Sequence, residues 1–187
     1  VTNGAVMNLY AGAAMAGTGD PAVGAWLRVE NRIVVAAGST LHLHAHPIKG
    51  HSPLISVVDV TVAAGGTLTA DNSGYAAGTT YVAHSLGHGP GAGMAVRNGA
   101  GYGGHGGFYS RSLTGGMPYG SVSHPIEPGS AGANQSAAAA SSGGGVIRIV
   151  ADGTVRIDGT VSASVTTAVT GGAGGGSGGA INIECRV

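Results

Sequence analysis

The alternation of apolar and polar positions is the strongest signal along the chain. Three short segments, GAVMNL at 4–9, GGVIRI at 144–149 and GGAINI at 178–183, run from small residues into an apolar-polar-apolar pattern. Period two sends successive side chains to opposite faces, so each reads as a strand with one buried face. A longer unit also recurs: NRIVVAAGSTLHLHA at 31–45, VDVTVAAGGTLTADNSG at 58–74 and IRIVADGTVRIDGTVSA at 147–163. In each, a β-rich run reaches Ala-Ala-Gly or Ala-Asp-Gly, turns, and restarts with Thr-Leu or Thr-Val. Gly38, Gly65 or Gly66, Gly153 and Gly159 supply the corners, where glycine reaches positive φ at little steric cost.

Leu41 and Leu68 hold matching places in successive units, at a separation suited to one coil stacking on the next. The pattern predicts an all-β fold: a right-handed parallel β-helix, or β-solenoid, with long ordered glycine-rich loops, in a single domain over 1–187. Leu41, Leu43, Leu68, Ile147, Ile149, Val155, Ile157 and Ile183 are the expected inward residues. Helix is nearly excluded, because the longest helix-friendly run, Ala137 to Ala140, is far too short to stand alone. A β-sandwich would call for hairpin signals between good strands. Asn3-Gly4 and Asn98-Gly99 instead lie in or beside glycine-rich sequence.

The excursion at 84–145 is the oddest stretch, with GHGPGAG at 87–93, GAGYGGHGGFYS at 99–110, GGMPYGS at 115–121, HPIEPGSAG at 124–132 and SSGGGV at 141–146. Tyr102, Phe108, Tyr109, Met117, Pro118, Tyr119, Pro125 and Pro128 interrupt the glycines with anchors that a flexible spacer does not need. The expectation is an ordered excursion in which missing side chains let backbone segments lie close, so that its amides pair outside regular sheet. The chain has 38 glycines without a strict every-third period, which rules out a collagen triple helix.

Charge narrows the partners. Eight basic and eight acidic residues balance to zero, a poor match to nucleic acid or to an anionic membrane, whose binding rests on clustered Lys and Arg. No apolar run is long enough to span a bilayer, and VTNGAVMNLY at the start has no basic segment leading into an apolar one. The chain thus reads as a mature product or a piece of a longer one, and the strand pattern still running near Val187 favours continuation. Cys185 has no partner cysteine, and Asn134-Gln135-Ser136 is a glycosylation sequon if the chain is secreted from a eukaryotic cell.

The order GYGGHGG, GGMPYGS, P-x-x-PGSAG, GGGVIRI, V-x-IDGTVSA and GGAGGGSGGAINI, over roughly residues 57 to 184, resembles the glycine-rich β-helical repeat regions of very large extracellular and surface proteins, including adhesin-like proteins and mastigoneme shaft proteins. The resemblance implies a structural rod or assembly module, extracellular or on the cell surface. The pattern departs from that form at Val165 to Thr170 and at the histidines around 84 to 88.

Candidate chemistry centres on HLHAH. On a strand His42, His44 and His46 would face one way while Leu43 and Ala45 turn to the core. Two imidazoles of an H-x-H pair can chelate one metal. The third needs a bend, which Pro47 supplies, and His51 could then return. Zinc or copper would suit such nitrogen ligands, and the alternative is a solvated polar strand face with no cofactor. His84 and His88 form a second candidate pair. For catalysis, Asp152 and Asp158 are the best local carboxylate pair, but both sit beside turn glycines, where a short carboxylate bonds its own backbone. The chain carries no GxxxxGK[ST], HExxH, CxxC or GxSxG.

Two function classes follow. One is a non-catalytic structural module that associates with copies of itself, or with adjacent coils of a parent chain, into a filament, sheath or wall. The other is a carbohydrate-binding or polysaccharide-processing protein with Tyr75, Tyr81, Tyr102, Phe108, Tyr109 and Tyr119 lining a groove for glycans.

Overall fold

The computed structural model describes residues 1–16, 19–78, 86–109, 114–134, 140–167, 169 and 171–186. Among the described residues nine strands form: β1 (Val6–Tyr10), β2 (Val23–Val35), β3 (Thr40–His44), β4 (Ser52–Val62), β5 (Thr67–Thr69), β6 (Val146–Ala151), β7 (Val155–Ile157), β8 (Thr160–Ser162) and β9 (Ala180–Cys185). Among the described residues there is no helix, and so none long and apolar enough to cross a membrane. The strands build two open sheets in the orders β1-β3-β5-β8 and β2-β4-β6-β9, with β7 alongside β4. Every strand pairing is parallel.

One apolar core lies between the sheets. Leu41, Leu43 and Leu68 come from the first, and Val35, Ile55, Val57, Val60, Val62, Ile147, Ile149 and Ala151 from the second or its ends. The alternation is direct in β3, where Leu41 and Leu43 are buried and Thr40, His42 and His44 are half-buried. Turns at Gly38 and Gly65, with φ of 71° and 76°, stack on one another through the Gly38 amide donating to the Gly65 carbonyl. This keeps β2–β3 and β4–β5 in phase.

The expected parallel β-helix, or β-solenoid, is corrected by this arrangement. A solenoid carries one uninterrupted stack of like coils, whereas here two open sheets of four and five strands form and neither closes. Leu41 pairs with Leu68 as the local repeat suggests, but Leu68 then pairs with Val161. Between Thr69 and Val146 the chain carries no strand among the described residues. The repeat period therefore reports one turn of chain and not a uniform coil. Ile157 is a second correction: β7 has a strand on one side only, and the side chain is 44% exposed instead of buried. Val155 and Ile183 lie at the core margin.

The glycine-rich region packs as a main-chain assembly. Segments around 87–93, 98–107, 115–119, 128–134, 141–145 and 171–179 exchange amide hydrogen bonds side by side. Gly129 donates to Gly144 and Gly132 to Ser141; Gly174 donates to Ala133 and Ser177 to Ser130. These partners step by three residues along each segment, the repeat of an extended threefold backbone that has no internal hydrogen bonds and must find them in its neighbours. A Cβ on Gly132 would meet the carbonyl of Gly174, and one on Gly143 the carbonyl of Gly129, well inside contact distance. Neither glycine has a positive φ, so both are required by close approach and not by backbone conformation.

Among the described residues, Arg148 is the one charged side chain that is buried. It is 5% exposed on β6 and pairs with Asp20, with Ser52 Oγ at 3.4 Å. Burial raises the Asp20 carboxyl, but the Arg148 guanidinium and the Ala22 amide outweigh it, and the net shift is downward.

Candidate functional site

His42 and His44 project from β3 opposite its core face. Their ring centroids lie 4.0 Å apart, and Tyr10 stacks on His44 at 4.2 Å. Ser73, in the bend after β5, sits between the imidazoles, its Oγ 2.7 Å from His42 Nε2 and 3.0 Å from His44 Nδ1. His44 Nε2 meets Asn8 Oδ1 at 3.0 Å. With Asn8 Oδ1 accepting, His44 carries its proton on Nε2, and its Nδ1 shares the Ser73 hydroxyl proton with the Asp71 carbonyl, to which Ser73 Oγ donates at 2.9 Å. His42 Nε2–H then donates to Ser73 Oγ, with the Asp71 carbonyl at 3.2 Å as a second acceptor. Burial, and secondarily the neighbouring His42, pushes His44 down to about 4. Ser73 is only 7% exposed, so its hydroxyl, enclosed by two rings and a carbonyl, has no open side for an electrophile. The group is a polar brace between β1, β3 and the bend after β5.

His46 does not join it. Its Nδ1 accepts from the amides of Ile48 and Lys49, both at 3.2 Å, and so organises the turn that Pro47 begins. His51 returns as expected, with ring centroids 6.2 Å apart, and its Nδ1 is buried without a hydrogen-bond partner. The structure thus brings together His42 with His44, and His46 with His51, as two separate pairs. Among the described residues no three His, Cys, Asp or Glu side chains converge as a metal site needs. His84 lies outside the described residues; His88 contributes backbone bonds to Ala76 and Ala131.

The carboxylates are dispersed. Asp158 pairs with Arg156 at 2.6 Å, and Asp71 Oδ1 accepts from Ser162 Oγ and the Ser164 amide. Asp59 Oδ1 accepts from the Thr154 amide. The tyrosines expected to line a groove serve mainly as internal anchors. Tyr102 and Tyr119 pack edge to face at 4.8 Å, Tyr102 donates to the Glu127 carbonyl, and Tyr75 is 9% exposed. Burial, with the Glu127 charge second, raises Tyr102 to about 12. Phe108 and Tyr109 are exposed, Tyr109 beneath the Arg97 guanidinium, and Tyr81 lies outside the described residues. Asn134, the acceptor residue of the sequon, is 5% exposed, donating to the Gly78 carbonyl and accepting from the Ala140 amide. Cys185 is exposed and directs its thiol to the Gly153 carbonyl.

Two surface features stand apart. On the outer face of the second sheet, Trp26, Arg28, Glu30, Ser56, Asp152 and Arg186 line a groove of about 470 Å³. Reading W-x-R-x-E as a period-two face would have found its first three members, but the rest come from β4, β6 and the end of β9. At the β1–β2 end, Val1, Met7, Leu27, Val29, Ile33 and Leu41, with Arg32 beside them, line a mainly apolar recess of about 220 Å³. Met7 and Leu9 continue the Leu41 and Leu43 columns, and Leu27 and Val29 those of Ile55 and Val57.

No family model matches this chain, and no curated protein or solved structure matches it.

Proposed function

We propose that this chain is a non-catalytic structural module, extracellular or at a cell surface, that associates head to tail with copies of itself into a filament, sheath or wall. The observation that carries the reading is the apolar end: β1 and β2 are the terminal strands of their sheets at the same end, and Leu9, Leu27, Val29 and Ile33 between them are only partly buried. Met7, which continues the Leu41 column, is 41% exposed there. β8 and β9 are last in their sheets at the other end. Because all pairings are parallel, the β8–β9 edge of one copy has the polarity to extend the β1–β2 edge of the next. Such a contact is heterologous and does not close, which is how an open polymer grows. Zero formal net charge adds little repulsion against it.

Sedimentation velocity and negative-stain microscopy of native-length protein test the proposal. Concentration-dependent assembly is expected, and Met7→Lys, which places a charge in the recess at an already exposed position, should abolish it while leaving the monomer folded. A native-length protein that stays monomeric at high concentration would sink the reading. So would assembly that Met7→Lys leaves intact.

A further inference from the structure

Independently of self-association, we propose that the Trp26 groove is a binding site for a neutral oligosaccharide. Trp26 is 42% exposed on β2. Its Nε1 donates to Ser56 Oγ on the neighbouring strand at 2.8 Å, which fixes the plane of the indole on the sheet. A held, half-open aromatic face is what the C–H face of a pyranose stacks on, because burying it needs no reordering of the ring. Arg28, two residues along β2, holds its guanidinium over the Trp26 ring, 5.9 Å from the centroid, and so caps one part of the platform with a hydrogen-bond donor.

The groove continues from the indole across the sheet. Register aligns Trp26 with Leu54 and Arg28 with Ser56 on β4, while Ser56 aligns with Val150 on β6. Asp152 follows β6, and Arg186 follows β9. Two strands across and four positions along, Asp152 is roughly 16 Å from Trp26, longer than one sugar ring, and a volume of about 470 Å³ falls in the range of small-ligand sites. At Glu30–Asn31 the register slips by one residue, since Val29 pairs with Val57 but Arg32 pairs with Asp59. A bulge of this kind re-aims side chains at the rim of a site.

The charges select the ligand class. Arg28 and Arg186 are balanced by Glu30 and Asp152, so the groove offers no net attraction to an anion or a cation. Among the described residues, Glu30 and Asp152 have no side-chain hydrogen bond or ion pair, and Arg186 has only a 4.0 Å contact to Glu184. Guanidinium donors and carboxylate acceptors line the groove that runs from the aromatic plate. A polyhydroxyl ligand with an apolar face can satisfy both kinds of group at once, since each hydroxyl both donates and accepts.

Trp26 is the sole tryptophan of the chain, so intrinsic fluorescence reads this site directly. Native-length protein would be titrated with cellotetraose, xylotetraose and mannotetraose, and with tetragalacturonate as the acidic comparison, by fluorescence and calorimetry. At least one neutral tetrasaccharide should shift the Trp26 emission saturably, with an affinity unchanged in about 0.5 M salt. Trp26→Ala should weaken calorimetric binding by more than about tenfold. Asp152→Asn, at an exposed position whose side chain supports no contact in the fold, should weaken it several-fold and keeps the test valid if Trp26→Ala misfolds. The proposal is overturned if none of the three neutral probes gives a response, if tetragalacturonate binds in preference and is released by salt, or if Asp152→Asn binds as tightly as the parent chain.

Discussion

In the strand core Leu43 and Ile147 are wholly removed from water, whereas Gly132 and Gly143 in the glycine-rich assembly have no side chain to remove and lie against neighbouring carbonyls instead. The first region is held by apolar area withdrawn from solvent, and the second by amides that find partners in adjacent segments only because nothing stands between them. The two regions should therefore fail in opposite ways: the core when a methyl group is deleted, the assembly when one is added.

The largest effect is expected from Leu43→Ala, which should cost about 4 kcal/mol in urea-induced unfolding through lost transfer energy and a cavity. A cost under about 1 kcal/mol would place the stabilising core elsewhere. Gly143→Ala should cost about 3 kcal/mol, because its methyl group has only backbone to displace. Gly103→Ala is the matched control: a Cβ there meets nothing within 4 Å, so its effect should stay within about 0.5 kcal/mol. Equal costs for the two alanines would dissolve the distinction between the regions.

Asp20→Asn sharpens the comparison within the strand half, since it leaves the buried Arg148 uncompensated. Breaking a fully buried pair is severe, but the Asp20 side chain is 28% exposed, and we expect about 2 kcal/mol. Because the folded carboxyl is depressed, the stability it contributes is present above the ordinary aspartate value of 3.8 and is lost as pH falls through the lower folded value.

His44 spans the two regions through Ser73 and gives the smallest effect. Its folded value of about 4 lies below the ordinary 6.5, so between those values the unfolded chain binds more protons and stability falls as pH drops. After allowance for solvent screening of a half-buried ring, the loss should be about 1 kcal/mol. Thermal unfolding of His44→Gln should be flatter than the parent across that window. Identical slopes would mean that the imidazole is not held neutral by the fold.

Period two was enough to place Leu41, Leu43, Leu68, Ile147 and Ile149 inward, because alternation is a local property of a strand. Which strands meet is not local: Thr69 and Ser162 face each other from 93 residues apart, a distance that period two does not reach. The same limit concealed the Trp26 groove, whose aromatic member is visible on β2 while Asp152 and Arg186 arrive through register. In HLHAH the alternation correctly sets His42 and His44 on one face, but the turn begun by Pro47 turns His46 to its own amides. Composition announced the glycine-rich region without saying why each glycine is there. Gly38 needs its positive φ, and Gly132 needs only the absence of Cβ.

The main-chain assembly also bears on how stability changes with temperature. Exposing hydrocarbon on unfolding raises heat capacity and exposing amide lowers it, giving about 12–15 cal/mol/K per residue in ordinary domains. A region that withdraws amide with little hydrocarbon should bring the per-residue value of this chain below that range. Its free-energy curve would then be shallow, declining slowly on both sides of its maximum and keeping the fold intact in the cold, where proteins held by hydrocarbon alone begin to loosen.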